Sequence, residues 1–241
     1  MTEHVPHVSF RASDKLHTTT QEYIDLMSRS NARPSPALLA EVMNHFTHDS
    51  LNAFMLQPME QLGITGTQRR LVEFAADTVE KSSQMVLKAT VNKLDHEQHR
   101  KSAEFMDSMR LLLPHEDADE VWFVSFQAPA SFSERARASM ARARTEGPQA
   151  ELCETIFVMK ALTDLALENY YERPLAILRF GPILRKVSEV AIGTVRKGTH
   201  STIENLLPKL SEEQLIKGID YFDSLLVDVP RARLRNITVP R

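Results

Sequence analysis

The chain holds only 7 glycines in 241 residues, well under the roughly 7% usual in soluble proteins. Glycine reaches left-handed backbone conformations without steric cost, and tight hairpins and phosphate-cradling loops depend on it. The shortage argues against a hairpin-rich β protein and against glycine-loop nucleotide folds. Helix-start signals point the other way. Thr19 with Glu22, Thr65 with Gln68, Ser131 with Glu134, Ser201 with Glu204 and Ser211 with Gln214 all have capping-box spacing ahead of a helical apolar pattern. Ser35 before Pro36 adds another start, with proline at the first helical position, where its missing N–H is unneeded.

These signals and the apolar periodicity predict helices near 19–30, 35–56, 66–94, 102–113, 131–146, 149–172, 174–197, 201–207 and 211–227. In the second, Leu38, Leu39, Val42, Met43, Phe46 and Phe54 share one face, opposite Glu41, His45, His48 and Asn52. Residues 151–171 are different, with Leu152, Ile156, Phe157, Val158, Met159, Leu162, Leu165 and Leu167 spread around the wheel, which marks a central, largely buried helix. The next segment contains Phe180-Gly181-Pro182, where proline removes a helix hydrogen bond, so a kink or break is expected there. Residues 92–102 are polar on every side and read as an exposed turn or a protruding helical stretch. Val121 to Phe126 is strand-like, yet short enough to be a buried helical turn.

The expected fold class is therefore all-α, an irregular multi-helix bundle around a central buried helix near 149–172, with at most a very short strand near 121–126. One helical domain over 1–227 is expected, with a weak sub-division near 114–120 and an irregular tail over 228–241.

A hydrophobic content of 42% with 25% charged residues is that of a folding globular chain, which excludes disordered and fibrous classes. Met1 leads into no basic-then-apolar stretch, and no window approaches 18 uninterrupted apolar residues, so neither a secretory signal nor a membrane span is expected. The single cysteine, Cys153, can form no internal disulfide, which fits a reducing, cytoplasmic setting; its apolar neighbours read as a buried, inert thiol. Residues 1–120 carry 18 acidic against 12 basic side chains and residues 121–241 carry 14 against 17, too mild an asymmetry for a nucleic-acid footprint.

Histidines recur at three-residue spacing as His4 with His7, His45 with His48, and His96 with His99. Such pairs can share a metal. His45 and His48, however, fall on a polar face, and the Glu-x-x-His repeat of di-iron bundles is missing, so solvated histidines, no metal and no cofactor are expected. Arg135, Arg137, Arg142 and Arg144 spread around an alanine-rich helix and read as a solvated surface, not a phosphate-tracking stripe. Met43, Phe46, Phe54, Met55, Phe105, Met106 and Met109 read as core filling. No Gly-x-Ser-x-Gly, Walker A, Gly-x-Gly-x-x-Gly, Cys-x-x-Cys or His-Glu-x-x-His motif occurs.

The remaining candidate is a charged row, Lys160, Asp164 and Glu168, at successive i+4 steps, followed by Tyr170 and with Arg179 on the next segment as counter-ion. Its plain reading is pairing along the helix. Its sharper reading is a polar pocket, because charges on a buried helix need partners. Function is accordingly expected to be that of a non-enzymatic helical interaction or regulatory protein, acting through a protein partner or self-association. The alternative is a helical bundle that binds a small anionic or apolar ligand, or acts as an enzyme, in a pocket formed by helices 149–197.

Overall fold

The computed structural model describes residues 3–115, 118–178 and 182–234. Long helices dominate, but the all-α expectation is overturned: a four-stranded antiparallel sheet, in the order β2-β3-β1-β4, joins the two ends of the chain. Its strands are β1 (His4–Arg11), β2 (Arg110–His115), β3 (Ala118–Gln127) and β4 (Leu226–Pro230). β1 lies between β3 and β4, with Val8 opposite both Phe126 and Leu226 and Phe10 opposite Val124.

The physical reason for the difference is non-locality. Antiparallel pairing is a relationship between distant segments, and a window along one segment does not contain its partner. β1 alternates apolar Val8 and Phe10 with polar Ser9 and Arg11, but Ser9 is buried as well, because β1 is a central strand. β2 read as the end of a helix, and β4 includes residues 228–230 of the segment expected to be irregular. The expected sub-division at 114–120 overlaps the end of β2 and the start of β3, and residues 116 and 117 lie outside the described residues.

The helices are α1 (Asp14–Met27), α2 (Pro36–Leu51), α3 (Gln57–Gln61), α4 (Gly66–Thr90), α5 (His96–Ser108), α6 (Ala130–Glu146), α7 (Leu152–Leu167), α8 (Arg173–Leu178), α9 (Pro182–Leu206) and α10 (Glu212–Leu225). Some starts are those the sequence signals: the Ser35 hydroxyl accepts from the Leu38 N–H, and Ser211 with Gln214 forms a full capping box. Others moved. α1 starts earlier, capped by Ser13, and α5 starts inside the polar stretch, capped by an Asp95/Gln98 box. Ser201 lies within α9, not at a helix start. The expected break at Phe180-Gly181-Pro182 falls mostly outside the described residues, with α9 beginning at Pro182. Gly63 and Gly66, at φ of 62° and 68°, make the left-handed turns between α3 and α4 that other residues resist.

Two five-residue π-helical turns interrupt the helices, at Asn52–Leu56 before α3 and at Glu168–Glu172 before α8. Each ends two residues before a proline, Pro58 or Pro174. A proline ring clashes with the carbonyl four residues back, and widening the turn relieves the clash. The Gln57 N–H accordingly donates to the Asn52 carbonyl and the Arg173 N–H to that of Glu168, each five residues back. Pro58 has no N–H for the Ala53 carbonyl, and the Tyr221 hydroxyl of α10 donates to it at 2.5 Å instead.

The main core joins one sheet face (Val8, Phe10, Val124, Phe126, Leu226) to α1, α2, α6, α7 and α10. A second cluster, Leu62, Ile64, Leu206, Leu210 and Leu215, ties α9 and α10 to the α3–α4 turn. The central helix is less buried than expected: in α7 only Val158, Leu162 and Leu167 are fully buried, while Phe157 is 48% exposed. Cys153 is exposed, on the solvent side of the first turn of α7, which corrects its reading as a buried thiol.

Candidate functional site

Native interiors normally leave few voids larger than a water molecule. Here a cavity of about 880 Å3 runs between the helices, near the upper end of the roughly 300–1,000 Å3 range of small-molecule sites. Its walls come from α2, α4, α7, α9 and α10, from both π turns, and at one end from α1, α5 and the sheet. α4 supplies Val72, Ala75, Val79, Val86 and Leu87, and α9 supplies Ala191, Ile192, Val195 and Ile203. That inward stripe explains why α7 looked apolar all round: Val158, Met159, Leu162 and Ala166 face the cavity, while its other sides pack on α6 and α9.

The π turns deliver aromatic groups to this space. Tyr170, from the second, packs its ring against Phe10, Phe46, Phe54 and Phe126 at centroid distances of 5.7, 5.4, 5.9 and 5.1 Å. Phe54 comes from the first. The Tyr170 hydroxyl is buried without a hydrogen-bond partner, and so is that of Ser188 on α9. Burial, reinforced by Tyr171, raises the Tyr170 pKa well above its ordinary 10, so it stays a neutral phenol.

Among the described residues no Asp, Glu or Lys lines the cavity, and Arg110 is its one permanently charged side chain. Arg110 begins β2 on the helix-covered face, opposite Val124 and beside Trp122 of β3. Its guanidinium carbon lies 4.3 Å from the Trp122 ring centroid, and its Nη2 is 3.1 Å from His17 Nδ1. The His17 ring stacks on Trp122 at 4.7 Å. Asp107 stands 3.7 Å from Arg110.

The mouth lies between α4 and α9. Leu71 and Phe74 line the cavity and are also 60% and 71% exposed. Across from them, Thr194, Gly198 and Ser201 of α9 are exposed cavity-lining positions. The rim is therefore apolar on one side and small on the other.

Of the candidate residues read from the sequence, only Tyr170 belongs to this cavity. Lys160 pairs with Glu204 rather than Asp164. Asp164 lies 3.0 Å from Arg196, which also reaches Glu172 at 2.7 Å, and 3.2 Å from His200. Glu168 is half exposed, 3.6 Å from Arg173. The charged row is thus a partly solvated ladder between α7 and α9, outside the cavity, and Arg179 lies outside the described residues. The sequence signal missed was Gln57-Pro58 and Arg173-Pro174, prolines inside helical patterns, each four residues after an aromatic, Phe54 or Tyr170.

Arg135, Arg137, Arg142 and Arg144 each hold an acid: Glu154, Asp228 at 3.0 Å, Glu151 at 2.8 Å, and Asp220 with Asp223 at 2.8 and 3.0 Å. The expectation of solvated histidines fails at His7 and His99, which are buried, His99 against Tyr23, while His4 and His96 are exposed. Among the described residues no cluster of three or more His, Cys, Asp or Glu is placed to hold a metal, and no helix is long and apolar enough to cross a membrane. Compared with protein-family models, curated proteins and solved structures, the chain matches none.

Proposed function

We propose that this protein binds an apolar small molecule in the cavity between α2, α4, α7, α9 and α10. The observation that carries the reading is a space of about 880 Å3 without an acid or a lysine on its described walls. Such a space forfeits packing contacts that a folded chain normally makes, and an apolar guest restores them without desolvating a charge. The buried hydroxyls of Tyr170 and Ser188 give a guest two points of polar contact. Equilibrium titration with N-phenyl-1-naphthylamine, an apolar fluorophore, tests the reading. Saturable binding of one equivalent at micromolar concentration is expected, and a linear, unsaturable signal contradicts it.

A second reading, a protein partner or self-association, is favoured by one observation. Leu71, Phe74 and Met85 lie along one side of α4 and are 60%, 71% and 69% exposed, and large apolar side chains left exposed on one helix side are a mark of interaction sites. Light scattering after size-exclusion chromatography tests it. A strict monomer that recovers no partner from a native lysate counts against it.

A further inference from the structure

The mouth of the cavity is also where bulky apolar side chains stand in solvent. Among the described residues the largely exposed ones are Leu71, Phe74 and Met85 on α4, Val190 on α9 and Phe157 on α7. Phe157 is covered on one ring face by the Arg135 guanidinium, 3.6 Å from its centroid. The other four all stand on the two helices that frame the mouth and pack against each other. At 3.6 residues per turn, Leu71, Phe74, Thr78 and Met85 fall within about a sixth of the circumference of α4. Leu71, Phe74 and Thr78 also line the cavity, and Thr78 turns its hydroxyl back onto the Phe74 carbonyl at 2.8 Å. The exposed stripe therefore runs over the rim into the interior.

This stripe has a basic margin. Arg70, Lys81 and Lys88 recur at i, i+11 and i+18, which places them on the strip of α4 beside Phe74 and Met85, on the side away from the cavity. On α9, Lys186, Val190, Lys197 and Ser201 share a strip at i, i+4, i+11 and i+15, and Ser201 is on the cavity rim. Asp77 and Glu204, acids beside these strips, are held by Lys81 and Lys160. Among the described residues Arg70, Lys88, Lys186 and Lys197 are exposed and have no ion-pair partner, and Glu189 is the acid left near them.

We infer that the α4–α9 face docks on an anionic lipid surface and exchanges the apolar guest of the cavity with it. This rests on the reading of the cavity as a ligand site and names the source of its ligand. Apolar side chains flanked by lysine and arginine are what an interfacial helix presents: the apolar groups enter the acyl boundary, and the long basic stems hold their charges at headgroup level. A guest that water excludes crosses least water where the mouth opens against the phase that holds it. A second copy of the chain fits this face less well. A two-fold contact would set the same unpaired cations against one another, whereas anionic headgroups neutralise them.

The test floats the full chain with vesicles of phosphatidylcholine alone and with vesicles carrying about 30% phosphatidylglycerol, at about 0.15 M salt. Binding to the anionic vesicles is expected to be at least about tenfold tighter than to the neutral ones, and to weaken as salt rises. A triple variant, Met85→Ser with Lys88→Glu and Lys197→Glu, changes exposed positions off the cavity wall. It is expected to lose that advantage while binding N-phenyl-1-naphthylamine as wild type does. The wild-type comparison needs no variant, so the test survives if the variant fails to fold. Transfer of the fluorophore from protein to anionic vesicles should speed up in proportion to vesicle concentration, as exchange on contact requires. A transfer rate independent of vesicle concentration, or equal binding to both vesicles, overturns the inference. Absence of flotation, with the fluorophore still bound, overturns it and leaves the cavity reading standing; a dimer found in its place assigns the face to a second copy. If the fluorophore itself does not bind, both fall.

Discussion

The Tyr23 hydroxyl donates to the backbone carbonyl of His99 at 3.1 Å while lying 2.8 Å from Nδ1 of the same residue. A hydroxyl has one proton, so Nδ1–H must donate to it, and Nε2 is left as a bare, buried lone pair without a partner. This pair, both members fully buried, clamps α1 to α5. Tyr23→Phe leaves His99 Nδ1 without a partner. A loss of about 1–3 kcal/mol is expected, or a fall of roughly 2–4 °C in melting temperature per kcal/mol, read by thermal denaturation.

The same burial sets an acid limb. His7, His17 and His99 all have pKa values lowered from the ordinary 6.5, chiefly by desolvation. Below pH 6.5 the unfolded chain takes up protons that the folded chain resists, so stability is full above about pH 6.5 and falls as pH drops toward the lowered folded values. Urea midpoints measured from pH 7.5 down to 5.0 should decline, and His99→Gln should flatten the decline. A midpoint independent of pH in this range contradicts the assignment.

Tyr221 governs the alkaline side. Burial raises its pKa to about 12, and its hydroxyl satisfies the carbonyl left open by Pro58. Its contribution is present below the ordinary tyrosine value of 10 and is lost as pH rises from 10 through 12. Tyr221→Phe should cost about 1–3 kcal/mol at pH 8 by leaving the Ala53 carbonyl unsatisfied, and the difference from wild type should shrink above pH 10. Tyr170→Phe should behave oppositely: its hydroxyl has no partner, so the variant should be no less stable than wild type at pH 8.

How much was legible follows from where each signal resides. Ser35, Ser211 and the inward stripe of α2 were readable because a cap and a helical face are local facts. β1 was not, because Val8 acquires meaning only opposite Phe126 and Leu226, more than a hundred residues away in sequence. The cavity was invisible for a related reason. Apolar residues that fill a core and those that line an empty space have the same periodicity, so Val158 and Leu162 gave no sign of which they do. Tyr170 is near the charged row in sequence only: it lies in the π turn and lines the cavity, whereas Asp164 and Glu168 do not.

The ladder of Asp164, Arg196 and Glu172 offers a control. These side chains are 48%, 36% and 42% exposed, and ion pairs in such settings contribute about 0–1 kcal/mol. Asp164→Asn should lower stability by no more than about 1 kcal/mol, less so in high salt, and should leave binding of an apolar fluorophore unchanged. A loss of that binding would return the ligand site to the charged row.

The most direct measurement compares N-phenyl-1-naphthylamine binding by the wild-type protein with that of Ala191→Trp, which places an indole in the cavity from α9. Filling existing space avoids the roughly 1–3 kcal/mol cost of overpacking a full core, so the variant should fold with an unchanged far-ultraviolet circular dichroism spectrum. We expect one equivalent bound by wild type and at least about tenfold weaker binding by the variant. Equal binding by two folded proteins would contradict the assignment of the cavity as the ligand site.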